Sequence, residues 1–135
     1  MSELFIYTDG GSRGNPGKSA IGVVIFGKDE KILIEYKEFI GLGTNNQAEY
    51  KAIIKALELA KKFDGKMLHL FSDSELVIKQ LKGLYKVKNP DLSNLYEKVK
   101  ALAKDYEKVN YSNVKRSNKY VSLADSLVNK ALDEN

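Results

Sequence analysis

Leu4-Phe5-Ile6-Tyr7-Thr8-Asp9-Gly10-Gly11-Ser12-Arg13-Gly14-Asn15-Pro16-Gly17 opens with an apolar run that stops at an aspartate and gives way to glycines. Residues 4–9 read as a strand, and residues 10–17 as a glycine-rich loop around the turn-forming Asn15-Pro16-Gly17. The arrangement recurs further on, where Leu68-His69-Leu70-Phe71 leads to Asp73. Acids that follow strands matter because open α/β sheets place their sites at the carboxyl ends of strands.

Working outward, residues 20–26 and 32–40 read as second and third strands joined by the turn Gly27-Lys28-Asp29-Glu30, an antiparallel meander with the first. Thr44-Asn45-Asn46-Gln47 has the form of a capping box. Ala48, Ala52, Ile53, Ala56, Leu57, Leu59 and Ala60 then supply the apolar stripe of a helix ending near Phe63-Asp64-Gly65. Strands are expected at 66–72 and 109–115, a short helix at 74–81, and a longer one at 92–106 after Asn89-Pro90-Asp91. A last helix is expected from Ser122. The predicted fold is one α/β domain over residues 1–135, with a five-stranded mixed sheet and helices on both faces.

The chain has 135 residues, of which 43% are hydrophobic, enough for one buried core. No apolar run approaches a membrane span, and Met1-Ser2-Glu3 leads directly into the first strand, so the expected location is the cytoplasm. Zero cysteines exclude disulfides, thiol catalysis and cysteine-ligated zinc, and a single histidine excludes histidine-rich metal sites. Carboxylates and hydroxyls remain for chemistry. A net charge of +4 permits a polyanionic partner without requiring one.

Four acids stand out: Asp9, Glu49, Asp73 and Asp125. Taken singly, each has an ordinary explanation: Asp9 as a turn residue, Asp73 as an N-cap, Asp125 as the acid of a Ser122-x-x-Asp125 box, and Glu49 as a capping or dipole partner. Glu49, however, shares a helical face with Ile53, Ala56 and Ala60, and an inward-pointing glutamate is costly unless paired or metal-bound. Brought together, the four would raise one another's pKa, and a divalent cation would remove the conflict.

The pattern resembles the type 1 ribonuclease H family. It does so through Thr8-Asp9-Gly10-Gly11 with Gly14-Asn15-Pro16-Gly17, then Thr44-Asn45-Asn46-Gln47-Ala48-Glu49-Tyr50, Phe71-Ser72-Asp73-Ser74 and Leu123-Ala124-Asp125-Ser126-Leu127, in that order over residues 4–132. The resemblance implies that Asp9, Glu49, Asp73 and Asp125 hold two Mg²⁺ or Mn²⁺ ions and cut the RNA strand of RNA–DNA hybrids. One ion would activate water and the other would stabilise the leaving 3′ oxygen, giving 5′-phosphate and 3′-hydroxyl ends. It implies substrate contacts at Gly10, Gly14, Asn15, Thr44, Asn45, Asn46 and Arg116, with Gly14-Asn15, Asn45 and Asn46 sensing the 2′-hydroxyl. Thr44 and Asn15 would also hold a phosphate of the DNA strand. The protein would act as a monomer, with double-stranded RNA as a further partner. Two rivals stand beside this reading: a module that binds hybrid or double-stranded RNA without cutting, and a nuclease of the same fold with broader range.

The sequence departs from the family pattern in two places. Lys115-Arg116-Ser117-Asn118-Lys119-Tyr120-Val121 occupies the loop where many members carry a histidine, and His69 lies inside a strand pattern instead. Gly83-Leu84-Tyr85-Lys86-Val87-Lys88-Asn89-Pro90 passes directly to the next helix, without the basic, tryptophan-rich protrusion of some bacterial members, and the chain has no tryptophan. Weaker, more salt-sensitive substrate binding is the expectation.

Overall fold

The computed structural model describes residues 3–135; Met1 and Ser2, part of the expected approach to the first strand, lie outside them. The elements are β1 (Glu3–Arg13), β2 (Gly17–Phe26), β3 (Ile32–Gly43), α1 (Asn45–Ala60), β4 (Met67–Ser72), α2 (Glu75–Leu81), α3 (Pro90–Ala103), β5 (Lys108–Asn113) and α4 (Lys119–Asp133), with a short 3-10 turn, Lys61–Phe63, after α1. They form one five-stranded sheet in the order β3-β2-β1-β4-β5. β1 pairs antiparallel with β2 and parallel with β4. β4 and β5 are parallel.

β1 is buried on both sides, which is why its sequence is a nearly unbroken apolar run. Leu4 and Ile6 join the large core beneath α1, with Ile53, Leu57, Leu68, Leu70 and Val99. Phe5 and Tyr7 turn to the other face, where Val121, Ala124 and Leu127 of α4 pack on Val24 and Phe26. Ala20, Val128, Ala131 and Leu132 extend that second layer.

β1 does not stop at Asp9. β2 remains paired to it as far as Arg13↔Lys18, so only Gly14–Pro16 separates the two strands. What stops is the parallel partner: the β1–β4 register ends at Tyr7↔Phe71. Asp9 is therefore an interior strand residue standing just past the carboxyl end of β4, where Asp73 leaves the sheet.

The α1 capping box is present, with the Thr44 hydroxyl accepting from the Gln47 N–H and the Gln47 side chain accepting from the Thr44 N–H. Two other starts differ from expectation. Ser74, not Asp73, caps α2. α4 begins a turn before Ser122, because the Asn118 side chain accepts from the N–H groups of Tyr120 and Val121. Asp125 thus lies in the second turn of α4, and the proposed Ser122-x-x-Asp125 box is not a helix cap.

Candidate active site

Three of the four acids converge. Oxygens of Asp9, Glu49 and Asp73 lie within 4.8 Å of one another. Asp9 comes from β1, Asp73 from the residue after β4, and Glu49 from the second turn of α1. The fourth, Asp125, stands beside this group without joining it at that distance. It lines the same cleft and acts on Asp9, while its Oδ2 accepts from the Asn129 amide at 3.3 Å.

Two glycines bring the acid-bearing helices in. A Cβ at Gly10 would lie 2.3 Å from the Ala48 carbonyl, so only glycine lets α1 sit this close to β1. Gly22, cross-strand from Asp9, does the same on the opposite face, where its Cβ would lie 2.3 Å from the Ala124 carbonyl of α4. Each glycine seats the residue just before an acid: Ala48 before Glu49, Ala124 before Asp125. Glu49 then uses the sheet edge that β4 leaves free, accepting from the Gly10 N–H at 3.0 Å. Its inward orientation, read from the stripe it shares with Ile53, Ala56 and Ala60, is correct, since all four are buried.

Burial and crowding decide the electrostatics. Asp9 is 8% exposed, and burial, then the charges of Asp73 and Asp125, push its pKa up to about 8. Burial, then Asp9 and Asp73, hold Glu49 well above the usual carboxylate range; the Gly10 N–H and the positive charge of Arg116 counter this in part. Neither acid has a salt-bridge partner among the described residues. Structural carboxylates are normally paired where they are buried, so this arrangement is the kind that a functional site maintains.

The acids lie in a cleft of about 310 Å³ that Gly10, Gly11, Ser12, Arg13, Asn45, Arg116 and Asn129 also line. Of the expected substrate contacts, Gly10, Asn45 and Arg116 belong to this cleft. Asn15, Thr44 and Asn46 line a second recess of about 230 Å³, with Gln47 and Asn89. A ladder of hydrogen bonds ties the two: the Asn15 Oδ1 accepts from the Asn45 N–H at 3.0 Å, and the Asn45 Oδ1 accepts from the Ser12 N–H at 2.8 Å. Gly14, at φ +87°, makes the turn that presents Asn15.

His69 plays no part in the cleft; it stacks on Phe5 at 4.8 Å and contacts Glu3 at 2.9 Å. The sequence reading missed Gly22, Asn129 and the place of Arg13 in the cleft. Gly22 had a signal, an isolated glycine in an otherwise apolar strand, which marks a close approach. Asn129 had only its four-residue spacing from Asp125.

Comparison with known proteins agrees with this geometry. A family model described as reverse transcriptase-like matches residues 7–131. The chain is 42% identical over 132 residues to a bifunctional protein of Mycobacterium tuberculosis, covering 97% of this chain but only 36% of that relative's length. It is 34% identical to the ribonuclease H of Clostridium botulinum, covering 99% of this chain and 98% of the relative. Among solved structures, ribonuclease H1 from the halophilic archaeon Halobacterium salinarum superposes with a TM-score of 0.94 at 39% identity, covering 99% of this chain and all of that one. LC11 ribonuclease H1, solved in complex with an RNA/DNA hybrid, gives 0.90 at 38% identity and 97% coverage of both chains. The mixed sheet, the helices on its two faces and the acids at one end define a ribonuclease H-like fold. The chain belongs to the ribonuclease H family.

Proposed function

We propose that the protein is a metal-dependent endonuclease that hydrolyses the RNA strand of RNA–DNA hybrids and leaves 5′-phosphate and 3′-hydroxyl ends. The observation that carries this reading is the meeting of Asp9, Glu49 and Asp73 within 4.8 Å. Carboxylates this close, two of them buried, create a repulsion that a divalent cation relieves. An all-carboxylate donor set without histidine or cysteine fits the oxygen-seeking ions Mg²⁺ and Mn²⁺. Asp9, Glu49 and Asp73 would hold them, with Asp125 contributing from the flank. Two such ions, when bound, supply charge stabilisation at the phosphate and a water acidic enough to attack near neutral pH.

The remaining work falls to the chain itself. Gly10 and Gly11 bring backbone to the wall of the cleft. The Gly10 N–H fixes the Glu49 carboxylate. Arg116 lines the cleft, its positive charge acts on Glu49, and it would offer that charge to the phosphate. Asn15, Thr44, Asn45 and Asn46 are short polar groups suited to a shallow minor groove and its 2′-hydroxyls. The hybrid bound to the similar LC11 enzyme supports this substrate. We further propose that residues 1–135 act as one monomeric domain in the cytoplasm, in keeping with the absence of cysteine.

A substrate panel in one Mg²⁺ buffer tests the reading. Hybrid cleaved in the RNA strand, with double-stranded RNA and DNA resistant or much slower, is the expected pattern. Equal cleavage of double-stranded RNA would assign the broader nuclease, and binding of hybrid without any cleavage would assign the binding module.

A further inference from the structure

We infer that Arg13 is a further contact for the nucleic-acid backbone, and that the carboxylate of Asp133 occupies it until substrate arrives. The inference rests on the nuclease reading above. Gly10, Gly11, Ser12 and Arg13 line the cleft in succession, so β1 runs along its floor from Asp9 to Arg13. Four steps of roughly 3.3 Å put Arg13 about 13 Å from Asp9. Phosphates of one strand advance by roughly 3.4 Å along the helix axis, so Arg13 meets a phosphate away from the scissile one. Its effect therefore falls on binding, not on bond breaking.

The present partner of Arg13 is a poor one. Its Nη2 lies 2.7 Å from the Asp133 Oδ1 and 3.5 Å from the Asn129 carbonyl, with side chains 50% and 67% exposed for Arg13 and Asp133. Asp133 is the last residue of α4, at the negative end of the helix dipole, where a carboxylate is disfavoured. An exposed pair of this kind contributes little to stability. A phosphate matches the guanidinium fork and is the stronger acceptor. The cleft also needs the cation, since Arg13 and Arg116 face four acids among its lining residues.

The test measures binding of a short fluorescent RNA–DNA hybrid in Mg²⁺ across a salt series, with Asp73→Asn present throughout to prevent cleavage. Arg13→Gln should weaken binding roughly five- to tenfold and reduce the slope of log K against log salt by just under one. Asp133→Asn should tighten binding severalfold, and this gain should vanish when Arg13→Gln is added. In cleaving protein, Arg13→Gln should raise KM while lowering the saturated rate far less than Asp73→Asn does. Arg13→Lys, which keeps the charge and loses the fork, should retain the salt slope and guards against a loss of fold. An unchanged affinity and slope in Arg13→Gln overturns the contact. A gain from Asp133→Asn that persists without Arg13 overturns the masking. Failure of the nuclease reading shows separately, as uncleaved hybrid with the unaltered protein.

Discussion

Asp9 is a buried acid whose pKa lies near 8 when no cation is present, against an ordinary value of 3.8. The folded state therefore holds a proton that the unfolded chain releases near pH 4, and between roughly pH 4 and 8 the folded state binds more protons. Stability of the metal-free protein must fall as pH rises through that window, by on the order of a few kcal/mol. Chemical denaturation in chelator at pH 5 and pH 8 should show this loss, and Asp9→Asn should reduce it, leaving the share that burial of Glu49 causes; a stability flat across that range would contradict the burial argument. Added Mn²⁺ at 100 times its dissociation constant should restore about 2.7 kcal/mol, read as a rise in melting temperature at pH 8 that Asp9→Asn lacks. At this scale the sequence was informative about Glu49, because an acid on an apolar stripe has a direct physical reading. It was less so about Asp125. Ser122 matched a local capping pattern, while the true cap, Asn118, lay four residues earlier and outside the apolar periodicity.

The elements bring the acids together through two close contacts. α1 and α4 approach opposite faces of the sheet over Gly10 and Gly22, and any Cβ there would meet a helix carbonyl at 2.3 Å. Gly10→Ala and Gly22→Ala should each destabilise by about 3 kcal/mol through overpacking. They should also reduce cleavage at least a hundredfold, since a misplacement near 1 Å has that effect on positioned groups. Gly11→Ala is the stability control: its Cβ would make ordinary contacts with the Val128 side chain at 3.6 Å and the Asn45 Oδ1 at 4.0 Å, and its melting temperature should stay close to that of the unaltered protein. Equal destabilisation by all three would reject the close-approach account. Strand and helix types were legible from period and caps, whereas the length of β1 was not. Gly10, which with Gly11 suggested a loop after Asp9, serves helix packing, and local sequence carries no mark of which partner strand ends first.

For the molecule as a whole, α2 ends at Leu81 and α3 begins at Pro90, so the connection is short and no basic protrusion projects from it. Substrate must then be held by the cleft, the asparagine recess and scattered lysines, and KM should climb steeply with salt while the saturated rate changes little; a KM insensitive to salt would show that charge contributes little to binding. The mixed sheet could be anticipated from three strands followed by alternating helices and strands. The meeting of three acids from β1, α1 and the end of β4 could not be read from spacing, since it depends on strand order and helix approach; there the family resemblance supplied what periodicity lacked. The most direct test of the central claim is cleavage of a hybrid labelled on its RNA strand, with unaltered protein and Asp73→Asn, each with Mg²⁺ and with chelator. Cleavage only by the unaltered protein with Mg²⁺ is the expected result; cleavage in chelator, or an equal rate from Asp73→Asn, would contradict it.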